Sequence, residues 1–109
     1  MIEQATVPAY ENELKANNVY VLSLYVTGAS PNSSRAIANL KEICETYLKD
    51  NYELEIIDVY QQPTIAESEQ IIALPLLIKR SPSPERRLIG DMSDTEKVLR
   101  GLGIAAANG

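Results

Sequence analysis

Histidine is absent from this chain, as are tryptophan and phenylalanine, and cysteine occurs once. Each absence removes a class of function. Without histidine the chain lacks the commonest general base and the commonest transition-metal ligand. With Cys44 alone, no internal disulfide can close and no Cys-x-x-Cys redox pair exists. Positive charge is short too, with 10 Lys and Arg against 15 Asp and Glu, a formal net charge of −5. General nucleic-acid binding needs a basic surface that displaces counterions, so nucleic acid is not an expected partner. No apolar run approaches the roughly 20 residues that span a bilayer, so no membrane is expected either. The first residues show no basic and apolar leader pattern, and a cytoplasmic location is the expectation. There is no G-x-x-x-x-G-K-[ST] element, no G-x-G-x-x-G and no metal-loop spacing, so neither cofactor nor metal is expected.

What is present amounts to one domain: 109 residues, 45% of them apolar. The aromatic residues are six tyrosines. A tyrosine hydroxyl needs a partner when buried, which suits an interface better than a dry core. Charge is uneven along the chain. The stretch from Glu42 to Glu69 is acidic, whereas Lys79, Arg80, Arg86 and Arg87 cluster. A basic patch on an acidic protein suits a charged protein partner.

Residues 1–17 are polar and weakly patterned and read as an N-terminal arm; the domain runs over 18–104, and 105–109 form a tail. Val19 to Thr27 is nearly continuously apolar and β-branched, the pattern of a central strand covered on both faces. A turn cluster follows, from Gly28 to Ser33, in which Asn32 or Ser33 can cap a helix running to about Lys49. Ile37, Leu40, Cys44, Tyr47 and Leu48 form its apolar face. Cys44 is expected as a packed core thiol. Glu53 to Tyr60 reads as a second strand, parallel to the first. Pro63 opens a weakly patterned helix through Ile72. Ala73 to Ile78 is apolar with Pro75 inside it, which implies an edge strand or a cis bond. After the turn Ser81-Pro82-Ser83-Pro84, Arg86 to Gly90 pairs back as a hairpin. Ser93 to Glu96 is a capping box for a last helix carrying Val98, Leu99 and Leu102, with Gly101 and Gly103 as terminators. The order β-α-β-α-β-β-α is that of thioredoxin. The second half carries weaker and conflicting local signals, which narrows the gap to competing folds.

In redox thioredoxins two cysteines sit between the first strand and the first long helix. Here the equivalent residues are Ser30 and Ser33. A hydroxyl cannot exchange disulfides, and no histidine is available to activate it, so disulfide reductase activity is excluded. Asp58, at a strand end, has no matched carboxylate and reads as a hydrogen-bonding or partner residue.

One ordered set of segments carries a family resemblance. It comprises Leu24-Tyr25-Val26 with Gly28, Pro31-Asn32-Ser33, Ile57-Asp58-Val59, Pro63, Ala66-Glu67, Ile71, the run from Arg86 to Ser93, and Glu96-Lys97-Val98-Leu99. Together they resemble the KaiB family of circadian clock proteins over residues 19–103. The resemblance implies an α/β, thioredoxin-like and metamorphic protein. Its resting state is a homotetramer or dimer in the order β-α-β-β-α-α-β. A rarer monomer with the thioredoxin order binds the KaiC ring ATPase. It implies no catalysis, and partner or subunit contacts at Arg35, Lys79, Arg86 and Arg87, to which Asp58 is added as a candidate partner residue from its strand-end position. It places the switching segment around Pro63, Pro75, Gly90, Asp91, Gly101 and Gly103. Glu55 stands where clock versions have a basic residue, which argues against KaiA as a partner, and Gly103 stands where they have Asp. Such a regulator serves circadian timing or stress adaptation. The alternative function is a glutathione-binding or transferase-like enzyme using Ser33 and a cis Pro75. A bare sensory domain of the kind fused to kinases shares the fold.

Overall fold

A computed structural model describes residues 19–28, 30–71 and 73–104. The expected arm over 1–17 and tail over 105–109 lie outside the described residues. The elements run β1 (Tyr20–Val26), α1 (Pro31–Tyr47), β2 (Tyr52–Asp58), α2 (Pro63–Ser68), β3 (Leu76–Ser81), β4 (Arg86–Ile89) and α3 (Thr95–Leu102). This is the thioredoxin order expected from the apolar patterning.

The sheet order is β2-β1-β3-β4. β1 pairs parallel with β2 and antiparallel with β3, and β4 closes a hairpin on β3. β1 is therefore internal, as its continuous apolar run requires. β3 is internal too, which corrects the edge-strand alternative for Pro75. The strand starts one residue after that proline, so the missing N–H falls outside the ladder. The Leu74–Pro75 bond is cis, the other arm of the expectation.

Strand alternation divides the sheet into two faces. Leu22, Leu24, Val26 and Leu77 face α1 and α3 and join Leu40, Ile43, Cys44, Val98, Leu99 and Leu102 in the larger core. Tyr25, Ile57, Leu76 and Ile78 face the short α2, whose Ile65 packs on them. Each buried leucine contributes about 1.5–3 kcal/mol relative to exposure, so the larger core dominates stability.

Helix ends differ from expectation in instructive ways. α1 is capped by Ser30, whose Oγ accepts from Ser33 N at 3.2 Å. Pro31 sets the start at the first helical position, where its missing N–H costs nothing, and this moves the cap upstream of Asn32 and Ser33. α3 is capped by Asp94 rather than Ser93, through Lys97 N at 3.1 Å. α2 opens at Pro63 as expected but stops at Ser68, with Gln70 in left-handed backbone at φ 56°. Gly103 ends α3 in the left-handed region, φ 80°, a position suited to glycine.

Candidate functional site

The sheet has two ends, and the strand register assigns the expected partner residues to them. At one end lie the C-terminal ends of β1, β2 and β4 and the start of β3, since Tyr25 pairs with Ile57 and Leu76, and Leu76 with Ile89. Ser30, Ser33, Asp58 and Asp91 gather here. At the other end lie Tyr20, Lys79, Arg86 and the β3–β4 turn.

Asp58 holds the first end together. Its Oδ1 accepts from Gly28 N at 3.1 Å and from Tyr60 N at 2.9 Å, tying the loop after β1 to the loop after β2. Gly28, at φ 52°, brings the backbone against Tyr60, whose ring would lie 3.6 Å from any added Cβ. Tyr60 itself is 76% exposed. It is a candidate contact residue that strand patterning missed. The expected second strand ran through Tyr60, whereas β2 ends at Asp58 and leaves the tyrosine in the loop.

The serine pair occupies the position of redox cysteines but is bonded inward. Ser33 is 1% exposed. Its Oγ accepts from Thr27 N at 3.0 Å and from the Ser30 hydroxyl at 2.9 Å. A substrate cannot reach this oxygen in the present fold, which counts against the glutathione-type alternative. Ser33→Ala is expected to lower stability by about 1–2 kcal/mol, because the Thr27 N–H is left without its acceptor. Urea unfolding measures this.

Arg35 projects from α1 and pairs with Asp91 at 3.4 Å, and it also donates to Asn32 Oδ1. Hydrogen bonds from Ser93 chiefly hold the Asp91 carboxyl below its usual range, and Arg35 adds to them. Asn39 reaches the Asp91 carbonyl at 2.9 Å. The segment after β4, with Gly90 and Asp91, is thus docked onto α1.

The expected basic cluster splits. Adjacent residues on a strand face opposite ways, so Arg86 and Arg87 lie on opposite faces of β4. Arg87 donates to the carbonyls of Glu69 at 2.8 Å and Gln70 at 3.4 Å. Arg80 donates to Tyr25 Oη at 2.6 Å and lies 3.3 Å from the Glu69 carboxylate. One acid after α2 therefore serves two arginines. Sequence position alone could not show this, because the contact forms only when α2 folds over the sheet. Lys79 is a correction: it is 3% exposed, with Nζ 3.5 Å from the Leu102 carbonyl. Burial and the nearby Arg86 push its pKa down. In this fold its charge faces the end of α3 rather than a partner. Among the described residues, no group of three potential metal ligands occurs, and no helix is long and apolar enough to cross a membrane.

With this geometry in view, the comparisons with known proteins separate fold from family. The N-terminal domain of SasA from Synechococcus elongatus matches with TM-score 0.66 at 22% identity, covering 94% of this chain and 91% of that one. The thioredoxin Deadhead of Drosophila melanogaster matches with TM-score 0.64 at 13% identity, covering 94% and 97%. These show the thioredoxin-like fold. The KaiB domain family matches residues 23–104. The chain belongs to the KaiB family. A circadian clock oscillator protein KaiB from Prochlorococcus marinus (strain MIT 9515) is 52% identical over 91 residues, 84% of each chain. Circadian clock protein KaiB3 of Synechocystis is 56% identical over 87 residues, 80% of this chain and 85% of that one. The expected family is thereby borne out, and these relatives are circadian clock proteins.

Proposed function

We propose that the chain is a non-catalytic regulatory binding protein captured by a KaiC-type ring ATPase in the thioredoxin order described above. At rest it adopts the order β-α-β-β-α-α-β as a homotetramer or dimer. KaiA is not proposed as a partner, because Glu55 presents an exposed acid on β2. The output is circadian timing or stress adaptation.

Family membership over residues 23–104 carries this reading. The second half supports it physically. Three non-glycine residues hold left-handed backbone: Asp50 in the first half, a residue type that tolerates it, and Gln70 and Met92, φ 56° and 63°, which adopt it at a cost. Gln70 and Met92 lie in the half that would rearrange around Pro63, Pro75, Gly90, Asp91, Gly101 and Gly103. Arg35, Arg86 and Arg87 are the proposed partner contacts, and Asp58 and Tyr60 shape the surface at the far end. Lys79 leaves that set while this fold persists.

The direct experiment mixes the purified chain with the ring ATPase and ATP and follows size exclusion over hours. Slow growth of a complex at the expense of free oligomer is the expected result, since only a minor population is competent. No complex in any nucleotide state would sink the reading. Arg86→Glu puts a carboxylate beside Lys79, so the fold should hold while affinity falls roughly tenfold, more steeply at low salt. Unchanged affinity would remove Arg86 from the interface.

A further inference from the structure

The hairpin end of the sheet holds a cleft of about 250 Å³ between the β3–β4 turn and the C-terminal end of α3. Three cations line it: Lys79 from β3, Arg86 from β4 and Arg100 from α3, with Tyr20 at the start of β1. Glycines line the α3 side. A Cβ on Gly103 would lie 3.8 Å from Lys79 Nζ, so the space beside the ammonium is clear of side chains there.

The charges here are not balanced as they are elsewhere. Arg35 has Asp91, and Arg80 and Arg87 share Glu69. Arg100 reaches Glu96 only at 3.9 Å, across an exposed helix face. Among the described residues, no carboxylate lies within ion-pair distance of Lys79 or Arg86. An ammonium has three N–H donors. Among the described residues, that of Lys79 uses one, on the Leu102 carbonyl at 3.5 Å, while the side chain is almost wholly buried. Among the described residues two of its donors find no acceptor, and a buried charge is costly unless a counter-charge completes it. The helix-end carbonyl supplies only a partial negative charge, and Arg86 adds repulsion.

We propose that this cleft binds a small oxoanion of the phosphate class, held by Lys79 and Arg86 with Arg100 at its rim. Arg86 offers a planar fork of donors and Lys79 a compact charge, a pairing suited to a tetrahedral oxoanion. A volume of about 250 Å³ is large enough for a phosphate ion. The cleft forms in the thioredoxin order described above, so the proposal rests on that arrangement and predicts that the anion favours it, but it does not rest on capture by a ring ATPase.

The test titrates the full chain with inorganic phosphate and with pyrophosphate, holding ionic strength constant with chloride. Backbone amide shifts and thermal melting are followed. Saturable shifts at Arg86, Leu102 and Gly103 are expected, with melting temperature rising in phosphate but not in chloride. Lys79→Met keeps the side-chain length without the charge and should fold. It and Arg86→Gln should each weaken binding at least tenfold, whereas Arg35→Gln should not. Similar affinities for the two probes assign a site for one phosphoryl group; tighter pyrophosphate extends it toward Arg100. Shifts that never saturate, or that survive in both Lys79→Met and Arg86→Gln, would overturn the proposal.

Discussion

Leu102→Ala is expected to weaken capture by the ring ATPase roughly a hundredfold, while Leu40→Ala leaves that affinity nearly unchanged. The two leucines are equally buried, 1% and 0% exposed, in the same core. Truncating either leaves a cavity and costs about 3 kcal/mol in this arrangement. They differ in which half of the chain holds them. Leu40 lies on α1, within the β1-α1-β2 unit that both proposed arrangements share, so its loss lowers both together. Leu102 lies on α3, which would pack elsewhere in the proposed resting order. Its loss acts on the competent population, and about 3 kcal/mol there is roughly a hundredfold in apparent affinity. Urea unfolding and binding measured on both variants test this. Equal losses of affinity would mean that the first half rearranges as well, or that neither half does.

Stability is expected to fall between pH 9 and pH 12, and Cys44→Ala should remove much of that fall. The Cys44 thiol is fully buried on α1, and burial, aided by Glu45, pushes its pKa from 9.0 up to about 12. Below pH 9 the thiol is protonated in both folded and unfolded chains and costs nothing. Above it the unfolded chain releases its proton while the folded chain holds on, so folding loses ground until the folded thiol also titrates. A shift of this size corresponds to a loss on the order of 4 kcal/mol across the window. Two other groups titrate nearby. Tyr52, bonded to Glu45 at 2.6 Å, is pushed up to about 12 and acts in the same direction. Lys79 is pushed down and acts oppositely, its neutral form relieving the buried charge. The difference between wild type and Cys44→Ala isolates the thiol, and Tyr52→Phe isolates the phenol. A Cys44→Ala profile that parallels wild type would show that the thiol is not the source.

The first half was legible because its local signals agree. The apolar run of β1, the Leu40 and Cys44 stripe of α1 and the β-branched run of β2 are in place; Tyr47, expected on the α1 core face, is exposed, and β2 ends at Asp58 rather than Tyr60. The misreadings, most of them in the second half, have physical reasons specific to each residue. Pro75 sits just ahead of a strand, where it removes no ladder bond, so its presence inside an apolar run misplaced the strand start. Pro31 at the first helical position moved the α1 cap to Ser30. Lys79 was grouped with the arginines by chain proximity. The strand period set by Leu77 puts it on the core face, a signal that was present and outweighed by charge. The same period separates Arg86 from Arg87. The role of Glu69 between Arg80 and Arg87 had no local signal, because it depends on where α2 comes to rest. Of the site, the loss of redox chemistry was plain from Ser30 and Ser33. The docking of Asp91 on Arg35 and Asn39 needed the fold.

The two edges of the sheet carry opposite charge. β2 shows Glu53 and Glu55 to solvent, and β4 shows Arg86 and Arg87. Two copies meeting β2 to β2, or β4 to β4, bring like charges together. Two copies meeting β2 to β4 do not. Edge-to-edge association of this fold is therefore biased toward head-to-tail contact, which lacks a twofold axis. Repeated around a point, such a contact closes into a ring; repeated along a line, it grows without limit.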